Sequence, residues 1–336
     1  MSSPSDPPEK AAGMLELAVI ADDLTGAADT GIQFRPALAP IYLVDHRSLP
    51  VGAFEPPARA LSIFTASRGQ PPDEAQRTVS AACRALGRLA PRRIYKKIDS
   101  ALRGNVGAEL EAVMTALRIE VSFIAPAFIE QGRTTVEGVH RIHGTPVAET
   151  EMGRDPVTPV RESRLAEWIG RQTRYPITHI DLATLDRGPA AVAAAIDRAV
   201  ARGARHVTFD AAAPEHLDGI AGLALDRYPG ALLCGSAGLA RSMARRLGAG
   251  RPAALSARNG ASGPLVGHWL FVCGSASERL RRQVGVLVDQ AGVGIETLAP
   301  DGLTAGRAFE GRAAAVQRAA RRLAAGALVR RLGPPS

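Results

Sequence analysis

Lysine is almost missing from this chain. Of 336 residues only Lys10, Lys96 and Lys97 are lysine, so arginine supplies 38 of the 41 basic side chains. The net charge of +8 is spread along the chain. With the abundant Ala, Gly and Pro, it fits a GC-rich coding bias better than a nucleic-acid-binding face. Aromatic residues make up 4%, too few for a surface that stacks single-stranded bases. Cys83, Cys234 and Cys273 are odd in number and contain no C-x-x-C pair, which excludes a closed disulfide framework and fits reduced thiols. The seven histidines show no zinc-ligand spacing. No apolar run approaches the roughly 20 residues of a membrane span. Residues 1–13 are polar and Pro-rich, without the apolar core of a signal peptide, so the expected location is the cytoplasm. Neither G-x-x-x-x-G-K-[ST] nor G-x-G-x-x-G occurs, which removes P-loop and ordinary dinucleotide sites.

What the chain does contain is an ordinary globular core, with 46% hydrophobic and 22% charged residues. Its length suggests two domains at roughly 150 residues each. Short apolar strands alternate with helical segments. Strands are expected at 15–21, 41–44, 60–65, 94–98 and 121–125, then at 178–182, 206–210 and 231–234. Helices are expected at 73–89, 109–117 and 189–202, and the segment Leu24-Thr25-Gly26 reads as a loop. This rhythm predicts an α/β protein whose mainly parallel sheets are flanked by helices. The expected division is a disordered 1–13, a first domain over 14–245, and a Gly/Pro-rich linker over 246–265. A second domain then covers 266–336, with strands at 269–273 and 294–298, a helix through 284–289 and another over 310–325.

Ligands of open α/β sheets bind where strands end and helices begin. Four clusters fall there. Asp22-Asp23-Leu24-Thr25-Gly26 offers paired carboxylates for sugar hydroxyls, a metal or a general base. The plain alternative is that one Asp caps a helix while the other is solvated. An aspartyl-phosphatase reading fails, because Leu24 stands where D-x-D-x-T needs its second Asp. The stretch 96–105 (KKIDSALRGN) packs cations, a carboxylate and an amide around a turn, suited to a carboxylate-bearing polyol. A basic surface loop is its plain alternative. The stretch 125–135 (APAFIEQGRTT) offers a flexible Gly132, the cation Arg133 and hydroxyls, with Glu137, His140 and 155–159 as its candidate extension; His140 itself reads as structural. The turns 235–238 (GSAG) and 274–277 (GSAS) are small-residue cradles suited to phosphate.

Taken in order, these segments resemble the four-carbon acid sugar kinase family. The matching stretches are IADDLTGAADTG at 20–31, TASRGQPPDEA at 65–75 and KKIDSALRGNVGAEL at 96–110. They continue with APAFIEQGRTTVEGVH at 125–140, DPVTPVRES at 155–163, CGSAGLA at 234–240 and VCGSASERLRRQV at 272–284. The resemblance implies a sugar-acid-binding N-terminal domain, a nucleotide-binding C-terminal domain, and phosphorylation of a terminal hydroxyl with ATP and Mg²⁺. The acceptor it implies is a threonate, an erythronate or a 3-oxo-tetronate. It further implies that Asp22, Thr25, Lys97, Asp99, Arg103, Asn105, Gly132 and Arg133 bind the acid. Asp23 is the implied base, and Ser275 and Ser277 meet the nucleotide; no metal ligand is assigned.

Two departures shape the expectations. Ala101 stands where the family carries Thr in its D-S-T-L-R-G-N motif, which predicts a changed substrate preference through a lost hydroxyl. The chain also stops at Ser336, before the family's further Gly-rich nucleotide motifs, so the second domain is expected to be incomplete. The alternative to a working kinase is therefore a sugar-acid-binding protein impaired in phosphoryl transfer. The expected partners are a small sugar acid and ATP, with neither nucleic acid nor membrane, and a homo-oligomer is left open. The Arg-rich stretch 307–331 is the best candidate for nucleic acid, and reads better as a basic helix flank.

Overall fold

The computed structural model describes residues 15–49, 57–249, 270–273, 278–291, 294–298 and 328–332. The chain divides into two compact units, Met1–Ser256 and Ala257–Ser336. In the first, strands β1 Leu17–Ala21, β2 Ile41–Asp45, β3 Ala60–Phe64, β4 Ile94–Lys97 and β5 Ser122–Ala125 come early. Three short strands follow, β6 Arg133–Val136, β7 Val139–Ile142 and β8 Thr145–Pro146, and then β9 Ile177–Ile180, β10 His206–Phe209 and β11 Leu232–Gly235. The helices are α1 Leu24–Leu38, α2 Pro72–Gly87, α3 Val106–Leu117, α4 Leu165–Gly170, α5 Leu182–Asp186, α6 Pro189–Ala201, α7 Pro214–Arg227 and α8 Ala237–Gly248. Residues 246–248, placed in the linker by composition, are thus the last turn of α8.

Eight strands form one sheet in the order β2-β3-β1-β4-β11-β5-β10-β9, and every pairing in it is parallel. A parallel sheet covered on both faces needs apolar residues at successive positions, and β1 is buried along its whole length. The period-2 pleat sorts its side chains. Leu17 and Val19 join a core with Phe34 of α1, Leu217 of α7 and Leu239 of α8. Ala18 and Ile20 join a core with Val79 of α2, Leu110 of α3 and Leu165 of α4. The same pleat separates the two neighbouring lysines of β4: Lys96 points to the α3 face, where it meets Glu109, and Lys97 points to the α1 face.

The sequence reading of 24–26 as a loop is corrected here, because helix α1 begins at Leu24. Asp23 is its N-cap, with Oδ1 accepting from the Gly26 N–H at 2.9 Å, a cap that stabilises a helix by about 1 kcal/mol. Strands β6–β8 form a separate antiparallel sheet between β5 and α4. It is tied to the end of β10 by Asp210, whose carboxylate accepts from the backbone N–H groups of Glu137 and Gly138 at 2.9 Å each. In the second unit, β12 Leu270–Cys273, β13 Gly294–Leu298 and β14 Leu328–Leu332 form a parallel sheet in the order β12-β14-β13, with α9 Glu278–Ala291 following β12. Residues 1–13, Ser275, Ser277 and the helix expected at 310–325 lie outside the described residues. Among those described, no helix is long and apolar enough to cross a membrane.

Candidate functional site

Adjacent strands β1 and β4 send their following helices, α1 and α3, to opposite faces of the sheet. The crevice this opens at the carboxyl ends of parallel strands is where such folds place ligands. A cavity of about 390 Å³ lies there. Asp23, Thr25 and Asp29 reach it from α1 and its cap, and Lys97, Asp99 and Arg103 from the end of β4. Phe128, Gln131 and Arg133 line it after β5, and Ser236 at the cap of α8.

Arg68, from the loop after β3, spans the two neighbouring carboxylates. Its Nε and Nη2 donate to Asp22 at 2.7 and 2.9 Å, and its Nη1 and Nη2 donate to Asp23 at 2.9 and 2.8 Å. Burial works against this guanidinium, but Asp22, Asp99 and Asp23 outweigh it and hold its pKa above the ordinary arginine value. Arg103 is held in the same manner between two acids, with Nε 2.7 Å from Asp99 and Nη1 3.5 Å from Asp155. Burial would raise the Asp99 carboxyl, yet Arg103, Arg68 and Lys97 keep it below the usual carboxylate range. The 96–105 stretch is therefore no basic surface loop: Lys96, Lys97 and Asp99 are all buried.

Lys97 differs from these cations. It is 5% exposed and lines the cavity, and its ammonium makes no hydrogen bond or ion pair among the described residues. A Cβ built on Gly26 would stand 2.9 Å from its Nζ and 2.4 Å from Asp23 Oδ1, so the bare glycine at the first turn of α1 leaves room for both groups. A carboxylate has about four lone-pair sites. Asp23 uses three, for Arg68 twice and the Gly26 N–H, and the fourth is unused among the described residues.

Three other residues singled out from the sequence do not line this cavity. Asp22 lies behind Arg68 and is buried. Asn105 turns its Nδ2 to the carbonyls of Ser67 and Gln70, at 3.2 and 2.9 Å. Gly132 has φ +66°, and a Cβ there would meet His143 Nδ1 at 2.2 Å, so its part is to turn the chain beside Arg133. Ala101 is also displaced from its expected part: it is buried in the apolar cluster with Ile98, Leu102 and Val106, and a hydroxyl at its position belongs to the core rather than to the cavity. His140 is structural, with Nε2 2.8 Å from the Ser100 carbonyl and Nδ1 3.0 Å from Thr135 Oγ1. Arg68 is the residue that sequence reasoning missed. The signal was its place, four residues after the end of β3, the strand beside β1, but no charge cluster marked it.

The family of the sugar-binding N-terminal domain matches residues 17–243. The chain is 36% identical over 274 residues to a D-threonate kinase of Salmonella typhimurium, covering 80% of this chain and 60% of the relative. It is 37% identical over 211 residues to a D-erythronate kinase of Heliobacterium modesticaldum, covering 62% and 48%. The chain thus spans about half to three fifths of these two curated relatives. The fold is similar to that of a Bordetella bronchiseptica DUF1537 protein crystallised with citrate as a domain-swapped dimer, with a TM-score of 0.60, 29% identity, and 95% of this chain and 74% of that one covered. With most of the first unit inside the matched domain, the chain belongs to the four-carbon acid sugar kinase family.

Proposed function

We propose that the cavity binds a four-carbon sugar acid, and that the protein transfers phosphate from ATP to the acid's terminal hydroxyl. The observation that carries this reading is Lys97, a buried lysine whose ammonium has no hydrogen bond or ion pair among the described residues, facing a cavity that also presents Asp23 with one unused lone pair. An anion with hydroxyl groups satisfies both. In this reading Lys97, with Arg133 at the rim, receives the carboxylate, while Thr25, Asp99 and Asp23 take the hydroxyls. Asp22, Arg103, Asn105 and Gly132 hold these groups in place. As the acceptor oxygen bonds to the γ-phosphorus and the bond to ADP breaks, Asp23 takes the hydroxyl proton. Phosphoryl transfer depends mostly on positioning and charge neutralisation. Ser275 and Ser277 are proposed to meet the nucleotide through the family resemblance. Among the described residues no group of three or more His, Cys, Asp or Glu side chains is arranged to hold a metal, so none is assigned to the Mg²⁺ that accompanies ATP.

The test is ADP release from ATP–Mg²⁺ with D-threonate, D-erythronate and 3-oxo-tetronates, with the product identified by phosphorus NMR. Acid-dependent ADP release and a terminal phosphate ester are expected. ATP hydrolysis independent of every acid would refute the assignment.

A further inference from the structure

On the sheet face opposite Lys97 lies a buried ion pair that the proposed chemistry does not use. Lys96 Nζ stands 2.7 Å from Glu109 Oε2, and both side chains are sealed from solvent. The other Glu109 oxygen accepts a hydrogen bond from Ser67 Oγ at 2.7 Å. Ser67 belongs to the loop that carries Arg68, and that loop is tied down elsewhere as well. The N–H groups of Ser67 and Arg68 donate to the Asp22 carbonyl at 3.0 and 3.3 Å, and Asn105 Nδ2 reaches the Ser67 and Gln70 carbonyls. Polar contacts therefore run from Lys96 through Glu109 to Ser67, and the next residue in the chain, Arg68, carries them on to both aspartates.

Stability is a poor reason for this arrangement. Desolvating two charges costs about what their attraction returns, and apolar replacements of similar volume are often neutral or stabilising. Two of the chain's three lysines nevertheless stand side by side at the end of β4, one facing the cavity and one beneath its supporting loop. We propose that the Lys96–Glu109 pair is a positioning device: through Ser67 it fixes the loop that carries Arg68, and so sets the spacing and orientation of the Asp22 and Asp23 carboxylates. The inference rests on the sugar-acid reading of the cavity, and its test separates the two.

The experiment compares the full-length protein with Ser67→Ala and with the double variant Lys96→Met/Glu109→Leu. Three quantities are measured: the melting temperature, solvent exchange of the Arg68 Nε–H by nitrogen-15 NMR, and D-threonate and D-erythronate affinity by calorimetry. The double variant is expected to be at least as stable as the parent. In both variants Arg68 exchange should accelerate, and acid affinity should fall on the order of tenfold. Parental exchange and parental affinity in the double variant would overturn the inference and leave the pair as core filling. If the parent binds neither acid, the sugar-acid reading fails, and Arg68 exchange alone decides the positioning role. If Ser67→Ala does not fold, the double variant decides it.

Discussion

The first turn of α1 passes so close to the end of β4 that a methyl group on Gly26 would stand 2.9 Å from the ammonium of Lys97. The same methyl would lie 2.4 Å from Asp23 Oδ1. One glycine therefore lets the Lys97 cation and a capping carboxylate share the floor of the cavity.

Gly26→Ala tests that relationship. Alanine is the better helix former by roughly 1 kcal/mol, which offsets part of the crowding. The melting temperature should change little while affinity for a four-carbon acid drops, and calorimetry on the folded variant checks this. Full affinity would mean that the close approach has no bearing on the ligand.

Arg103, at the cavity wall, is shared between the carboxylates of Asp99 and Asp155. Arg103→Ala should weaken acid binding by about ten- to a hundredfold, the range for hydrogen bonds to charged groups. ATP binding should be untouched, and equal loss of both would remove this loop from the acid site.

Ala101→Thr restores the residue that the related motif carries, but inside an apolar cluster. Overpacking there costs about 1–3 kcal/mol. A lower melting temperature is expected, with an unchanged preference between D-threonate and D-erythronate. A switch of preference would place residue 101 at the ligand after all.

Acid pH should destabilise the fold through two buried imidazoles. Burial pushes the pKa values of His140 and His206 down to about 4 from 6.5. The unfolded chain therefore takes up protons that the folded one refuses. This stability is fully present above pH 6.5 and is lost as the pH falls toward 4. Urea denaturation at pH 7 and pH 4.5 should differ by on the order of 2 kcal/mol for each histidine. His140→Asn should flatten part of that slope, and a slope identical to the parent's would contradict the assignment.

Most of the α/β rhythm could be read from the chain because β1, β3, β5 and β11 are short, mainly apolar runs between turn signals, as a sheet covered on both faces demands. What escaped were elements without such runs. The β6–β8 hairpin carries Arg133, Thr134, His140 and Arg141, and its strands are held by Asp210 and by backbone pairing rather than by an apolar stripe. The first turn of α1, Leu24-Thr25-Gly26, reads as a loop because Gly26 follows the two aspartates, one of which, Asp23, is the cap. The residues that meet at the cavity were legible from their positions after strands. Their partners were not: nothing local to Arg68 announces that it holds Asp22 and Asp23, 46 and 45 positions earlier.

The most direct measurement is calorimetric titration of D-threonate and D-erythronate into the parent protein and Lys97→Met. Methionine keeps the apolar stem and removes only the ammonium charge. The parent should bind at least one acid, and the folded variant should bind it tenfold or more weakly, the cost of losing a charged partner. Equal affinity in the two proteins would contradict a sugar-acid site built around Lys97.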